Sequence, residues 1–338
     1  MSPAARAHHR AAWLAAGLLA LAALLLIAGI GVGSTGLQSI WHALDDATAR
    51  QIVLDIRLPR TLGAWLAGAL LGLAGAVAQG LFRNPLADPF LLGSASGASL
   101  GVALALVLFG FSPLAANWVS ALGLTGAAFI GSMAAVLLTL TLARGVQHTL
   151  RLLLSGVIVG VVLGAIGSLV TLLVPETMPA MQAFMLGSTG FVGWPACGLM
   201  AAAFTVCLSV AWTLSPVLDG LTLGEATARS LGLPLAPLRL ALVGVLALAT
   251  GAAVAQTGLI AFVGLAAPHL VRSVVKTTHG RLMVLSALTG GALLLAADIL
   301  ARAWIAPQEL PVGVLTAVLG GGYLLWLMHR GRGQRGLA

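Results

Sequence analysis

The sequence predicts an all-α, polytopic membrane protein of ten membrane-spanning helices, and three observations carry that expectation. Charged residues are 8% of the 338-residue chain, against about a quarter in soluble domains. Nine acids and seventeen bases cannot give a soluble protein of this size its polar shell. Mean hydropathy is +1.06, and the few charges divide the chain into long uncharged runs, each to be compared with the roughly 20 residues that span a bilayer. The same composition excludes a disordered chain and a disulfide scaffold. Cys197 and Cys207 share one apolar run, roughly 15 Å apart on a helix where a disulfide tolerates about 7 Å between Cα atoms, so both read as small core residues. A net charge of +8 fits basic loops on one side of a membrane rather than nucleic acid.

The elements follow in order. Run 11–32 is longer than a secretory-signal core and has no Ala-x-Ala site after it, so a first helix is expected at about 12–33. Run 61–82 gives a helix at 58–81. The uncharged run 89–143 must hold two, at 91–110 and 118–143, broken near Phe111-Ser112-Pro113. Helices at 152–174 and 191–214 come next, with a short piece around Met178–Met185 between them.

Run 240–271 fits one long helix or two short ones, and parity decides. Two helices, 239–256 and 258–274, place both termini on one side, with thirteen basic residues inside and Arg50, Arg57, Arg60 and Arg302 outside. One helix inverts all that follows and leaves eight inside and nine outside. The positive-inside rule chooses two. Helices at 282–300 and 311–328 complete the ten in a single unit, 1–338, whose longest inner connection is 215–238.

Small residues recur at four-residue spacing: Gly68 with Gly72, Gly97 with Gly101, and Gly156 with Gly160 and Gly164. Such spacing marks close helix contacts in lipid. Gly75 to Gln79 resembles Gly251 to Gln256, in helices of opposite direction, which points to an inverted internal repeat.

Chemistry-bearing constellations are missing. There is no HExxH, CxxC or Walker lysine, and the seven histidines are dispersed. Asp45, Asp46, Asp55, Glu176, Asp298 and Glu309 are expected in or beside outer loops, and Asp88, Asp219 and Glu225 at the inner face. With no acid expected at mid-span, a proton- or ion-coupled carrier and a membrane-embedded enzyme are both disfavoured. Met178, Met181 and Met185 read as a packing stripe. The inner segment 224–232, Ala-rich between glycines, is expected to form a short helix across the membrane face, where a partner could attach.

The segment RLPRTLGAWLAGALLGLAGAVAQGLFRNPLADPFLLG at 57–93 resembles the FecCD-type, BtuC-like ABC permease family. GEATARSLG (224–232), TGLIAFVGLAAPHLVR (257–272), ADILAR (297–302) and QELPVG (308–313) continue the resemblance in family order. It implies a ten-helix subunit of a homodimer in the bacterial inner membrane, with both termini cytoplasmic. Two cytoplasmic ATPases would use ATP and Mg while this chain binds no cofactor, and a periplasmic binding protein would supply the cargo. By the resemblance, Gly224, Glu225, Ala228, Leu231 and Gly232 couple to the ATPase, and Arg57, Arg60 and Arg302 receive acids of the binding protein. Asn84 and Leu86 with Thr149 and Leu150 would form the cytoplasmic gate, Leu150 departing from the hydroxyl residue frequent in relatives. The helix carrying Gly156, Gly160 and Gly164 would line the pathway at the dimer axis. The implied cargo is a metal chelate: iron-siderophore first, then haem, then cobalamin.

Overall fold

The computed structural model describes residues 3–33, 36–37, 46–109, 118–146, 149–230, 232 and 234–335. The chain opens with α1 (Pro3–Gly31), followed by a small antiparallel pair, β1 (Val32–Gly33) and β2 (Gly36–Leu37). Then comes α2 (Ala47–Ile52), whose N-cap Asp46 accepts a 3.0 Å hydrogen bond from the Thr48 amide. It continues through a π-turn at Val53–Arg57 into α3 (Leu58–Leu81), with Pro59 directly after the π-turn. α4 (Ser94–Phe109), α5 (Trp118–Leu142) and α6 (Thr149–Leu173) follow, then the short α7 (Met178–Leu186) and α8 (Trp194–Thr213). Two small helices, α9 (Ser215–Thr222) and α10 (Glu225–Ser230), lead into α11 (Leu235–Thr257), α12 (Val263–Val274), α13 (His279–Ala303) and α14 (Val312–Arg335).

Among the described residues the architecture is all-α apart from the β1–β2 pair, and α1, α3 to α6, α8 and α11 to α14 overlap the ten expected spans. Seven helical stretches among the described residues are long and apolar enough, by length and composition, to cross a membrane. The remaining three are short: α4, the apolar part of α14 to Trp326, and α12. α12 has 12 residues, about 18 Å of helix against a hydrocarbon core of about 30 Å. It starts at Val263 rather than at 258, behind a non-helical stretch that begins at Gly258 (φ 68°) and ends at Phe262 (φ 68°).

Non-helical backbone persists at membrane depth only where protein satisfies it. Here the end of α7 does so. The Leu259 amide donates to the Phe184 carbonyl (3.0 Å), the Ser188 amide donates to the Thr257 carbonyl (2.8 Å), and Ile260 is buried.

α3 is the axis of the bundle, buried along almost its whole length between α13, α11, α12 and α8. Glycine makes the approach possible. A Cβ on Gly68 would run into the Gly290 carbonyl, and one on Gly72 into the Ser286 carbonyl. Gly97 and Gly101 of α4 stand in the same relation to Gly131 and Ala127 of α5. Gly156 lies on the Leu91 carbonyl, whereas Cβ atoms on Gly160 and Gly164 would meet nothing nearer than the Ser96 hydroxyl at 3.7 Å.

The helix pairing recurs in two halves of the chain. α3 packs on α12 and α13 as α11 packs on α4 and α5, while α4 pairs with α5 and α12 with α13. Contacts do not repeat at residue level: Gly75 abuts the Gly264 backbone, and Gly251 faces the Phe129 and Ser132 side chains. α6 and α14 stand at the rim, with Leu154, Val157, Val161, Val318 and Leu325 more than half exposed.

Candidate functional site

Two polar clusters lie at opposite ends of the bundle. The first gathers the start of α3, the end of α13, and the segments before α8 and α14. Asp298, wholly buried, is 2.8 Å from the Arg302 guanidinium one helical turn on and 3.3 Å from that of Arg60. It also accepts a short hydrogen bond from the Thr189 hydroxyl. Arg60 reaches Glu309 at 2.9 Å. Arg302, 1% exposed, donates to the Gly29 and Val32 carbonyls at 3.0 and 2.9 Å. A buried charge must be paired and hydrogen-bonded to be tolerated, and both ions are.

This arrangement corrects one expectation. Asp298 lies in the last turns of α13, beside the outer connection as expected, but Arg302 points into the protein rather than toward a partner. Its spacing from Asp298 makes the two neighbours on one helix face, and packing against α1 turns that face inward. Arg60 is 13% exposed. Arg57 is half-buried, with a 3.5 Å bond to the Ile30 carbonyl. Arg57 and Arg60 therefore form the surface-facing part of the set.

The second cluster surrounds α10. Gly224 (φ 100°) and Gly232 (φ 78°) bracket this helix, and a Cβ on either would meet nothing within 4 Å. Glycine is required there by the left-handed backbone and not by packing. Glu225, 30% exposed, is held by arginines of its own chain. Its carboxylate lies 2.5 Å from Arg239, whose side chain is 3% exposed, and 3.8 Å from both Arg83 and Arg229. The hydrogen bond from Arg239, with the nearby guanidinium charges behind it, holds Glu225 below the usual glutamate range.

Ala228 is fully buried, so a bulky residue there would prise α10 from its own subunit. The outward face is made by Leu223, Ala226, Thr227, Arg229 and Ser230, which the sequence pattern did not single out. Leu231 lies outside the described residues.

Beside this cluster, Asn84 forms a turn: its side-chain oxygen accepts the Leu86 amide at 2.9 Å. Leu86 and Leu150 are 55% and 79% exposed, apolar side chains with nothing of their own chain over them, while Thr149 is half-buried. Two further links at this end were missed in the sequence. Gln79 of α3 donates to the Leu265 carbonyl (3.2 Å) and accepts a short hydrogen bond from Arg272. Asp219 of α9 accepts the His279 amide at 3.0 Å and lies 2.7 Å from its Nδ1. The signal for the first was a lone amide in an apolar helix, which seeks a partner in lipid.

Of Met178, Met181 and Met185, Met181 is buried in a core cluster and also reaches a cavity beside the helix. Met178 and Met185 line that open cavity, of about 690 Å³, with Gln182, Ser96 and Ser168. Among the described residues no group of three or more His, Cys, Asp or Glu could hold a metal ion. Cys197 and Cys207 are buried, hydrogen-bonded to the Pro59 and Val245 carbonyls.

Comparison with known proteins agrees with this architecture. The FecCD transport family profile matches residues 18–330. The hemin transport system permease protein HmuU of Yersinia pestis is 38% identical, over 94% of this chain and 96% of that protein. The vitamin B12 import system permease protein BtuC of Shigella boydii is 40% identical, over 93% and 95%. A solved structure of an inward-facing metal-chelate type ABC transporter superposes with a TM-score of 0.83 at 30% identity, covering 94% of this chain and 98% of that one. With a ten-helix bundle, a profile match over nearly its whole length and relatives of the same length, the chain belongs to the FecCD transport family and is the membrane-spanning permease subunit of an ABC importer.

Proposed function

We propose that two copies of this chain form the path of a metal-chelate importer in the bacterial inner membrane, with both termini cytoplasmic. Two ATPase subunits using ATP and Mg drive it from the α10 side, and a periplasmic binding protein loads it from the Asp298 side. The observation that carries this reading is α10 itself, a short helix seated by buried Ala228, with Ala226, Thr227 and Ser230 exposed on it and Leu223 exposed just before it. Thirteen of the seventeen basic residues fall on that side in the ten-helix arrangement, which makes it cytoplasmic.

In this reading Asn84, Leu86, Thr149 and Leu150 close the inner mouth, as an apolar seal built on leucines and not on hydroxyls. The rim helices α6, with Gly156, Gly160 and Gly164, and α14 face the second copy. Arg57 and Arg60 meet acids of the binding protein, with Arg302 holding their platform from behind. The cargo is a chelate of the class that includes iron-siderophores, haem and cobalamin.

Among the described residues Asp298 is a fully buried acid, which could favour an ion-coupled carrier. It lies near the end of α13 and is already matched by two guanidinium groups, so it is poorly placed to relay protons. The test is uptake by proteoliposomes holding the permease, its ATPase and its binding protein. Uptake should require hydrolysable ATP and survive ionophores; uptake driven by an ion gradient without ATP would refute the reading.

A further inference from the structure

One carboxylate at the α10 end joins three separate pieces of chain. Glu225 Oε1 lies 2.5 Å from Arg239 Nη2 and 3.8 Å from Arg83 Nη2. Arg239 in turn donates through Nη1 to the Val146 carbonyl at 3.4 Å. Arg83 adjoins Asn84 in the turn after α3, and Val146 closes the turn after α5, three residues before Thr149. The carboxylate thus touches one gate segment and, through Arg239, the other.

The backbone around α10 makes such a side-chain link necessary. The six-residue helix is tied to its neighbours through left-handed glycines at 224 and 232, each in open space. A push on α10 would be absorbed by rotation at these pliable joints, since glycine resists neither hand of φ. The two turns it must reach are of the opposite kind. Each holds a non-glycine residue in the left-handed region, Arg83 (φ 50°) and Arg144 (φ 55°). Such backbone persists only while its surroundings hold it. A loose helix therefore stands beside two constrained turns, with one charged group between them.

We propose that Glu225 is a positioning residue of transport: by holding Arg239 and Arg83 it carries the displacement of α10 to the turns at Asn84 and before Thr149, so that the inner mouth follows the ATPase. The inference rests on the reading of 224–232 as the element that seats the ATPase. Its charge matters, because Arg83 at 3.8 Å is held by attraction and not by a hydrogen bond.

The experiment uses the complete transporter in proteoliposomes and reads two quantities. One is cargo moved per ATP hydrolysed. The other is the labelling rate of a Leu150→Cys thiol with and without ATP, against native cysteines that are buried. Glu225→Gln, purified with its ATPase, should move about tenfold less cargo per ATP and lose the nucleotide-dependent change in labelling. Glu225→Asp, which keeps the charge, should recover most of both. An unchanged ratio in Glu225→Gln overturns the proposal, as does equal loss in the Asp and Gln variants. Loss of the ATPase from Glu225→Gln on purification also overturns it, since the carboxylate would then only hold α10 in shape. Thr227→Trp, on the outward face, separates the underlying reading. If that variant keeps its ATPase and full uptake, 224–232 is not the seat. If it loses both while Glu225→Gln stays coupled, only the role of Glu225 fails.

Discussion

Each end of the bundle gathers arginines around an acid, yet the two clusters differ in burial and in balance. Around Asp298 the charges cancel, with Arg60 and Arg302 against Asp298 and Glu309, and the central carboxylate is fully buried. Around Glu225 one acid that is 30% exposed faces Arg83, Arg229 and Arg239. Removing one partner from a buried pair strands a charge where water cannot reach it. At Glu225 less is forfeited, because water reaches the 30% exposed carboxylate and the exposed Arg83 and Arg229, although Arg239 beside them is 3% exposed. The first cluster has the properties of a clamp that keeps its shape. The second has the properties of a joint that must move.

The largest expected effect breaks the clamp. Asp298→Ala should destabilise the permease by about 3–5 kcal/mol, read as a fall in the unfolding temperature of the detergent-solubilised protein; a change within error would show that the pairs are not formed. Arg302→Glu should fail to fold for the same reason, so it cannot serve as a docking probe.

A smaller effect sharpens what remains for docking. Arg57→Glu should weaken binding-protein association about tenfold and flatten its salt dependence, because steering charges act over a Debye length of about 8 Å at physiological salt. Unfolding should stay near wild type. Equal affinity and equal salt slope would remove Arg57 from the docking surface.

At the joint, Glu225→Gln should cost about 1 kcal/mol of stability, and raising the salt concentration should narrow that gap while leaving the Asp298→Ala gap unchanged. A loss at Glu225 as large as that at Asp298 would erase the distinction between the two clusters.

The smallest effect is in pH. Glu225 is held below the ordinary glutamate value of 4.5 by its hydrogen bond to Arg239. Its contribution is therefore present above that value and lost as pH falls through the lower folded one. Wild type and Glu225→Gln should converge in stability on acidification below about pH 4.5; a constant difference would show that the carboxylate is not titrating there.

Much of this was legible beforehand, for particular reasons. Few charges made the boundaries of α3 or α11 readable, because an ion cannot rest within hydrocarbon. Gly68 and Gly72 announced the contact with α13, since only glycine lets backbones approach that closely. Gly224 and Gly232 bracketed α10 correctly. Less accessible was which face of that helix looks outward: Ala228 carries the family pattern and is buried, while Ala226 and Thr227 face the solvent. Met178 and Met185 were read as core and line a cavity instead.

The sequence by itself determined the class and the stretches that become the long apolar helices, because transfer into hydrocarbon depends on composition along the chain and little on partners. It also determined where helices could touch, through residues too small to hold them apart. Only the tertiary structure decided which charges meet. Arg302 and Asp298 are neighbours on any helix, but whether that face is solvated or sealed depends on α1 lying against α13. Glu225 and Arg83 are far apart in the chain, and they meet because α3 and α10 end at one face. Coulomb attraction and desolvation depend on distance and surroundings in space, which a linear order of residues does not contain.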